Sequence, residues 1–579
     1  MPRRRDRARA AWVQTNQPPT TNHQPSTINA LKKILWVDDE VELLEPHLFF
    51  LRQRGYHVDT TTNGDDALDL IHAAPYDLVL LDEQMPGRRG LDVLAELRRH
   101  DPNARVVMVT KSEEDRTLTE AVGRRVDDYL VKPASPRQVL SVVTRVLEGA
   151  QLQQQQTAQD FARRYAELIR ARNEAPDWRG YASLYSELVN WDIRLREAGE
   201  ASLAESVAEL LTDVRREFGV YVSREYPGWA AGAAAKSSES RGAKRAPTRQ
   251  RPLSARQARS VEPVPSADRP PMSTDVIARY VQPLVEQGPV LLMVIDCLRL
   301  DQWRVLRPLL ARSFDIAEEL YYGILPSATP YARNALFSGL FADDITRLHP
   351  EWWQTEDSSL NAFEDKLLLR HLQELTGRRV SIHYEKVFSD ADADELVARV
   401  RGALPKAGVT ALVFNFVDLL THGRSESAIL MEVARDVPAL RALTRQWFER
   451  SSAYRILREA AARGINVVLT TDHGSIHCQR PLTIFARKDA TTNLRYKFGV
   501  DLRAENPAGV FTLTDEKPLR FPPGKFGTNY LLALEDYFFV YPTKLREYQA
   551  RYRGSFLHGG VSPEEMILPI SVLTPRAAA

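Results

Sequence analysis

Short apolar runs alternate with helix-like stretches five times between residues 31 and 150. Four of these runs end in polar side chains, and they read ILWVDDE, DLVLLDEQMPG, RVVMVTKSEED and DDYLVKP. Strands separated by helices predict a parallel, doubly wound sheet, whose carboxyl edge is where ligands bind. The polar side chains that this pattern places at that edge are Asp38, Asp39, Asp82, Thr110 and Lys132.

The pattern changes after residue 150. Residues 151–229 carry apolar positions at helical spacing, which predicts a bundle of three or more amphipathic helices. Residues 230–271 have few large apolar side chains and cannot bury enough surface to offset the entropy of ordering, so a flexible linker is expected. The Arg, Pro, Thr and Asn content of residues 1–30 predicts a disordered tail, or a start codon placed upstream of the native one.

Residues 272–579 are numerous enough for one large α/β core. Their strand-like runs read VLLMVID, TALVFNFVD, NVVLTTDHG and PLTIFAR, and helical stretches separate them. We interpret the first three runs as strands that deliver Asp296, Asp418 and Asp472 to the carboxyl edge of a sheet. The whole chain is therefore expected to be an α/β multidomain protein with a helical bundle in its middle.

Histidines accompany these acids. His422 follows Asp418 by four residues, His473 follows Asp472 directly, and His558 lies in a glycine-rich loop. Mixed Asp and His ligands suit zinc, manganese or iron, so the sequence predicts a metal centre in this domain.

A hydroxyl group is expected beside that metal centre. Thr329 lies just before Pro330 and a helix-like run, and a helix N-terminus favours phosphate. Ser327, two residues earlier, is an alternative nucleophile. Arg333 and Asn334 could donate to phosphate oxygens or could serve ordinary structural roles.

Composition narrows the function classes. The chain has 77 basic and 76 acidic side chains, so no global field draws it to nucleic acid or membrane. Its two cysteines, Cys297 and Cys478, argue against a disulfide framework and fit a reducing cytoplasm. Both lie near predicted ligands, so zinc binding by a cysteine pair stays open beside the simpler interpretation of buried strand ends. No apolar stretch approaches the length of a membrane span, so we expect no membrane insertion.

The motifs VDDE, LLDEQMPG and LVKP, in this order, give residues 31–150 a resemblance to response-regulator receiver domains. The resemblance implies that a sensor histidine kinase phosphorylates Asp82, with Mg²⁺ held by Asp39, Asp82 and the carbonyl of Gln84, and Asp38 nearby. It also implies that Thr110 and Lys132 contact the phosphoryl group and that Tyr129 is a switch residue. A receiver that folds but is never phosphorylated is the alternative.

The order of acids, threonine and histidines, with the contexts PSAT and HGG, resembles the PglZ branch of the alkaline phosphatase superfamily. The resemblance implies two Zn²⁺ per chain and a catalytic Thr329 that forms a phosphothreonine intermediate. One ion would be held by Asp296, Thr329, Asp472 and His473, and the other by Asp418, His422 and His558.

Receiver, bundle and PglZ-type domain in one chain resemble the PorX-like response regulators, which are associated with type IX secretion. The resemblance implies a cytoplasmic phosphodiesterase that acts on nucleotides or oligonucleotides and dimerises when its receiver is phosphorylated. The alternative is a signalling scaffold that binds a sigma factor, a secretion-system component or DNA, with a structural metal site.

Overall fold

The computed structural model divides the chain into two compact units, Met1–Gln156 and Thr157–Ala579. The structure describes residues 32–85, 87–101, 104–111, 126–174, 176–239, 269–353, 361–424, 428–487, 490–522 and 527–576. The predicted tail, residues 1–30, and residues 240–268 of the predicted linker lie outside these ranges.

The first unit contains a five-stranded sheet in the order β2-β1-β3-β4-β5, with every neighbouring pair parallel. Its strands are β1 Lys33–Val37, β2 His57–Thr61, β3 Leu78–Asp82, β4 Val106–Thr110 and β5 Asp128–Val131. Its first three helices are Glu45–Gln53, Gly64–Ala73 and Gly90–His100.

Alternation along β1 explains why this sheet is covered on both faces. Ile34 and Trp36 belong to one apolar cluster, whereas Leu35 and Val37 belong to another. Successive side chains of a strand point to opposite faces, so both faces bury apolar surface. The predicted doubly wound sheet is confirmed.

Three long helices follow, namely Pro136–Asn173, Trp178–Glu197 and Ala201–Glu239. The first of them runs without a break through residue 150, where the sequence suggested a domain boundary. The third, called the long helix below, continues to Glu239, ten residues into the predicted linker of residues 230–271. The segment AAGAAAKSSE is rich in alanine, the best helix former, and needs few apolar contacts to stay helical.

The large domain is built on a six-stranded sheet in the order β7-β19-β10-β6-β9-β8. Its strands are β6 Val290–Ile295, β7 Phe314–Tyr322, β8 Ile382–Val387, β9 Val409–Phe414, β10 Asn466–Thr470 and β19 Ile567–Pro575. Strands β10, β6, β9 and β8 are mutually parallel, whereas β19 is antiparallel to both of its neighbours. The domain is thus a large α/β domain, as predicted.

Among the described residues of this domain, one α-helix precedes the sheet in the chain, and the others lie in the connections between its strands. They are Gln282–Val285, Leu300–Leu310, Thr329–Ser338, Ala342–Leu348, Glu364–Thr376, Ala393–Ala403, Phe416–Arg424, Ala428–Val433, Val437–Arg450, Ser452–Ala462, Leu545–Tyr552 and Pro563–Met566. None of the helices within the described ranges has the length and apolar character to cross a bilayer.

Three small sheets lie between β10 and β19. Their strands are β11 Ile476–His477, β12 Arg480–Phe485, β13 Tyr496–Val500, β14 Arg503–Ala504, β15 Val510–Leu513, β16 Thr528–Ala533, β17 Tyr537–Val540 and β18 Phe556–Leu557. The predicted strand PLTIFAR is therefore present as β12, but it pairs with β14 and β17 outside the main sheet. The segment that forms these small sheets ends with β18, and the loop that carries His558 follows directly.

Candidate metal centre

The carboxyl ends of β6, β9 and β10 meet at one edge of the main sheet. Asp296 follows β6 directly, and Asp472 and His473 follow β10. The expected position of Asp418 at a strand end is wrong. Strand β9 stops at Phe414, and Asp418 lies in the first turn of the helix Phe416–Arg424.

One cluster consists of Asp296, Asp472 and His473, whose ligand atoms lie within 4.8 Å of one another. His473 Nδ1 donates to the carbonyl of Gly474 at 3.1 Å, so Nε2 carries its lone pair toward the cluster. Thr329 is the first residue of the helix Thr329–Ser338, and its hydroxyl donates to this Nε2 at 2.9 Å.

A second cluster consists of Asp418, His422 and His558. The Nε2 atoms of His422 and His558 lie 3.3 Å and 3.6 Å from Asp418 Oδ1, and 3.0 Å from each other. His558 Nδ1 donates to the carbonyl of Ser327 at 3.2 Å, which directs its Nε2 into the cluster. The two clusters contain six of the seven predicted ligands, and the seventh, Thr329, contacts the first cluster through His473.

Buried oxygens test whether cations fit these clusters. Asp296 Oδ1, Asp418 Oδ1 and Asp472 Oδ2 are buried and accept no hydrogen bond from the described residues. An unsatisfied buried carboxylate oxygen is costly, and a cation would satisfy it. Three such oxygens beside three imidazole nitrogens are a donor set that divalent transition metals prefer, so the residues fit two ions.

Burial and the crowding of ionisable groups shift the pKa values of the cluster residues. Burial and the neighbouring Asp472 raise the pKa of Asp296 well above its usual range. Burial opposes ionisation of Asp418, but the contact with His422 and the charges of His422 and His558 lower the pKa of this carboxyl. Burial and the neighbouring imidazoles lower the pKa of His558 well below its usual value, which favours the neutral form that binds metals.

Arg333 has a structural role here rather than a phosphate-binding one. Its guanidinium is 4% exposed and donates to Asp296 Oδ2 and to Glu364 Oε1, at 2.7 Å each. Asn415 also donates to Asp296 Oδ2, at 2.9 Å. The sequence reasoning missed Glu364 and Asn415. Asn415 directly follows β9, so the strand-end rule could have found it, but no pattern marks Glu364.

The two candidate hydroxyls differ in their surroundings. Ser327 Oγ donates to the carbonyl of Gly560 at 2.8 Å and accepts from the N–H of Gly559 at 3.1 Å, so it holds the His558 loop. Thr329 is the hydroxyl that contacts the ligand cluster. Both cysteines are buried free thiols, and neither belongs to the metal-binding groups found among the described residues.

The receiver-type unit has its own acidic cluster. Asp38, Asp39 and Asp82 could hold a cation together, and Asp38 and Asp82 are buried. Lys132 Nζ lies 2.7 Å from Asp82 Oδ2 and 2.9 Å from Asp38 Oδ2. Burial raises the pKa of Asp82, although Lys132 opposes this effect.

The other predicted positions of this unit lie on β4, on β5 and after β3. Thr110 ends β4 and is buried, and Tyr129 is half-buried in β5. The backbone N–H of Gln84 donates to Asp82 Oδ1 at 3.2 Å. Residues 112–125 lie outside the described residues.

Three family profiles match the chain. Residues 34–144 match the response regulator receiver domain, and residues 151–230 match the PorX response regulator linker domain. Residues 276–573 match the BREX system PglZ alkaline phosphatase-like domain. Domains of the receiver and alkaline phosphatase-like families typically use divalent metals.

Individual relatives share the receiver part. The transcriptional regulatory protein ResD of Bacillus subtilis is 36% identical over 118 residues, which are 20% of this chain and 49% of ResD. BaeR of Escherichia coli O6:H1 is 36% identical over 129 residues, 22% of this chain and 53% of BaeR. The chain thus spans about half the length of these two relatives.

One solved structure is similar to a fifth of the chain. The response regulator TrrA of Thermotoga maritima, in complex with Mg²⁺-BeF, is 34% identical and matches over 20% of this chain and 100% of TrrA, with a TM-score of 0.19. The PglZ profile, in contrast, covers more than half of the 579 residues. The chain, a PorX-like response regulator with receiver and linker domains, therefore belongs to the PglZ alkaline phosphatase-like family.

Proposed function

We propose that the C-terminal domain is a metal-dependent phosphodiesterase and that phosphorylation of Asp82 in the receiver controls it. The observation that supports this most is the position of the Thr329 hydroxyl, 2.9 Å from His473 Nε2, beside two ligand sets with orphaned carboxylate oxygens. A hydroxyl beside two cation sites suits displacement at phosphorus.

The chain's own groups divide the work. Asp296, Thr329, Asp472 and His473 would hold one zinc ion and Asp418, His422 and His558 the other. The ions would supply Lewis-acid polarisation of the phosphoryl group. Thr329 Oγ gives up its proton and forms a bond to phosphorus while the bond from phosphorus to the leaving alkoxide breaks, and the alkoxide takes up a proton. Water then attacks the phosphothreonine, the bond from phosphorus to Thr329 Oγ breaks, and the products are a phosphomonoester and the restored threonine hydroxyl. Arg333 and Asn415 hold Asp296, and the carbonyls of Gly474 and Ser327 hold the two imidazoles.

Diesters of nucleotides or oligonucleotides are the proposed substrates, because the chain is PorX-like. Turnover of bis(4-nitrophenyl) phosphate is expected to exceed that of 4-nitrophenyl phosphate, and elemental analysis is expected to find about two zinc ions per chain. Thr329→Ala should abolish turnover. Thr346→Ala is the control, because its hydroxyl donates to the Ala342 carbonyl in the next helix.

Two results would overturn this proposal. One is protein that holds no metal after native purification and takes none up. The other is turnover by Thr329→Ala equal to that of Thr346→Ala. Protein that holds metal but hydrolyses no phosphodiester would favour the scaffold alternative, with a sigma factor, a secretion-system component or DNA as the partner.

The receiver supplies the regulation in this proposal. A sensor histidine kinase transfers phosphate to Asp82 with Mg²⁺ at Asp39, Asp82 and Gln84, and phosphorylation promotes a homodimer. Lys132 already contacts Asp82 at 2.7 Å, Thr110 ends β4, and Tyr129 lies in the neighbouring strand β5. The charge added to Asp82 is proposed to act on these residues. The setting that we propose is cytoplasmic signalling for type IX secretion.

A further inference from the structure

The long helix, Ala201–Glu239, contacts the large domain through a buried ion pair. Arg215 Nε donates to Glu564 Oε1 at 2.7 Å, and Arg215 Nη2 lies 2.6 Å from the same oxygen. The Glu564 side chain is fully buried, and its other oxygen, Oε2, accepts no hydrogen bond from the described residues. Within the described residues, Arg215 therefore compensates the charge of this buried carboxylate.

Glu564 belongs to the short helical turn Pro563–Met566, which packs against the residue after His473. A Cβ on Gly474 would lie 2.0 Å from the Glu564 carbonyl oxygen, and Gly474 N–H donates to the Glu565 carbonyl at 3.2 Å. The Gly474 carbonyl in turn accepts from His473 Nδ1. The position of the turn therefore sets the orientation of one imidazole ligand.

The same turn reaches the second cluster through Glu565. Glu565 Oε1 accepts from Gly560 N–H at 2.8 Å, and its carboxylate pairs with the fully buried Arg495 at 2.5 Å. Ser327 Oγ bonds the Gly560 carbonyl, and the Ser327 carbonyl accepts from His558 Nδ1. A shift of the turn would therefore move ligands of both clusters.

A second contact of the long helix reaches the nucleophile. Tyr226, which is fully buried, accepts the N–H of Leu325 at 2.8 Å through its hydroxyl. Leu325 lies four residues before Thr329, in the loop that leads into the helix Thr329–Ser338. A buried N–H without this acceptor would be left unsatisfied, so the hydroxyl helps to fix that loop.

We propose that Arg215 and Tyr226 are positioning residues of the metal centre, so that the helical bundle is a working part of the phosphatase domain. Arg215 acts through Glu564 on the imidazoles of His473 and His558, and Tyr226 acts through Leu325 on Thr329. This inference rests on the proposed function, since it assumes that the clusters bind metal and that Thr329 reacts.

Arg215→Met tests the first contact. Zinc affinity of the full chain, measured by competition with a chromophoric chelator, is expected to fall about 10- to 100-fold, the usual effect of removing a group that orients metal ligands. Arg216→Met is the matched control, because Arg216 lies on the same helix with 59% of its side chain exposed and pairs with Asp213. That variant should bind zinc like the wild type.

The double variant Arg215→Met/Glu564→Gln removes both charges, so it should fold and recover most of the zinc affinity. It keeps the test open if Arg215→Met alone fails to fold. Tyr226→Phe is expected to lower kcat about tenfold at saturating zinc with KM unchanged, since it loosens the loop that places Thr329.

Equal zinc affinity in Arg215→Met and Arg216→Met would overturn the inference, and so would a double variant that binds zinc no better than Arg215→Met. A wild-type kcat in Tyr226→Phe would remove Tyr226 from it. Wild-type protein that binds no zinc would instead refute the proposed function, so the two failures can be told apart.

Discussion

Arg333 joins two buried carboxylates at the residue scale, so its removal should be severe. Arg333→Met takes the cation from between Asp296 and Glu364 and is expected to destabilise the zinc-free protein by about 3–5 kcal/mol, the usual cost of leaving buried charge uncompensated. Urea unfolding of zinc-free protein measures this. Arg347→Met is the control, because Arg347 is 63% exposed and its ion pair should contribute little. Equal unfolding free energies for the two variants would contradict this role.

Lys497 gives a pH-dependent prediction. Its side chain is 1% exposed, and burial lowers the pKa of its ammonium to about 8. In the unfolded chain the pKa of a lysine is about 10.4. Between pH 8 and that value the unfolded chain binds more protons than the folded protein, so the unfolding free energy rises with pH across this window. Lys497→Met should remove that rise and stabilise the protein at pH 7 by up to about 3 kcal/mol.

Denaturant unfolding at several pH values from 7 to 10.5 checks this prediction against wild type. Lys544→Met is the control, because Lys544 is 56% exposed. A wild-type-to-variant difference in unfolding free energy that stays constant over this range would show that Lys497 does not titrate as burial requires.

The sequence located the ligands better than the groups that hold them. All seven predicted ligands lie in or beside the two clusters. Most of them leave a local pattern, since the acids follow apolar runs and two histidines follow an acid by one or four residues. Glu364 and Glu565 act across 31 and 238 residues, on Arg333 and Ser327. Such contacts depend on tertiary packing, which no local spacing records.

At the scale of elements, Asp418 lies beside its predicted partners but on a helix instead of the predicted strand. Residues 418 and 422 would lie about 13 Å apart along a strand, because a strand rises roughly 3.3 Å per residue. In a helix, residues four apart lie on the same face. The helix Phe416–Arg424 therefore brings His422 Nε2 to 3.3 Å from Asp418 Oδ1. If Asp418 and His422 bind one metal ion, their four-residue spacing favours a helix after β9.

Gly474 tests the packing of two elements. The loop after β10 and the turn Pro563–Met566 approach so closely that a Cβ on Gly474 would meet the Glu564 carbonyl oxygen at 2.0 Å. Gly474→Ala must therefore push backbone aside, and we expect a loss of several kcal/mol of unfolding free energy, roughly 2–4, together with weaker zinc binding. Thermal unfolding and zinc content measure the two effects.

Gly402→Ala is the matched control for that prediction. Gly402 lies in the helix Ala393–Ala403, and a Cβ there would meet no atom within 4 Å. Alanine is the better helix former, so this variant should be as stable as the wild type or slightly more stable. If Gly474→Ala unfolded no earlier than Gly402→Ala, the close approach of loop and turn would not hold in solution.

At the scale of the whole molecule, the order of the domains could be predicted, but the residues at which one domain passes into the next could not. The spacing of apolar residues alone predicts a first domain of alternating strands and helices, a helical middle and a second α/β domain. The helix Pro136–Asn173 runs through residue 150, and the long helix runs to Glu239, because polar and alanine-rich segments continue a helix without an apolar signal. At the far end of the first of these helices, Arg172 pairs with Asp213 and Glu217, which flank Arg215 on the long helix.

Phosphorylation of Asp82 is expected to act on the whole molecule by dimerisation. It adds charge and strong acceptor oxygens beside Lys132, which should draw in Thr110 and reorient Tyr129. Two receivers altered in this way can pair by two-fold symmetry, the commonest geometry of oligomers. Beryllofluoride with Mg²⁺, a phosphate mimic, should therefore convert monomer to dimer in light scattering, while Asp82→Ala stays monomeric with its zinc content unchanged. An unchanged wild-type mass, or a dimer that persists in Asp82→Ala, would show that the receiver does not drive dimerisation.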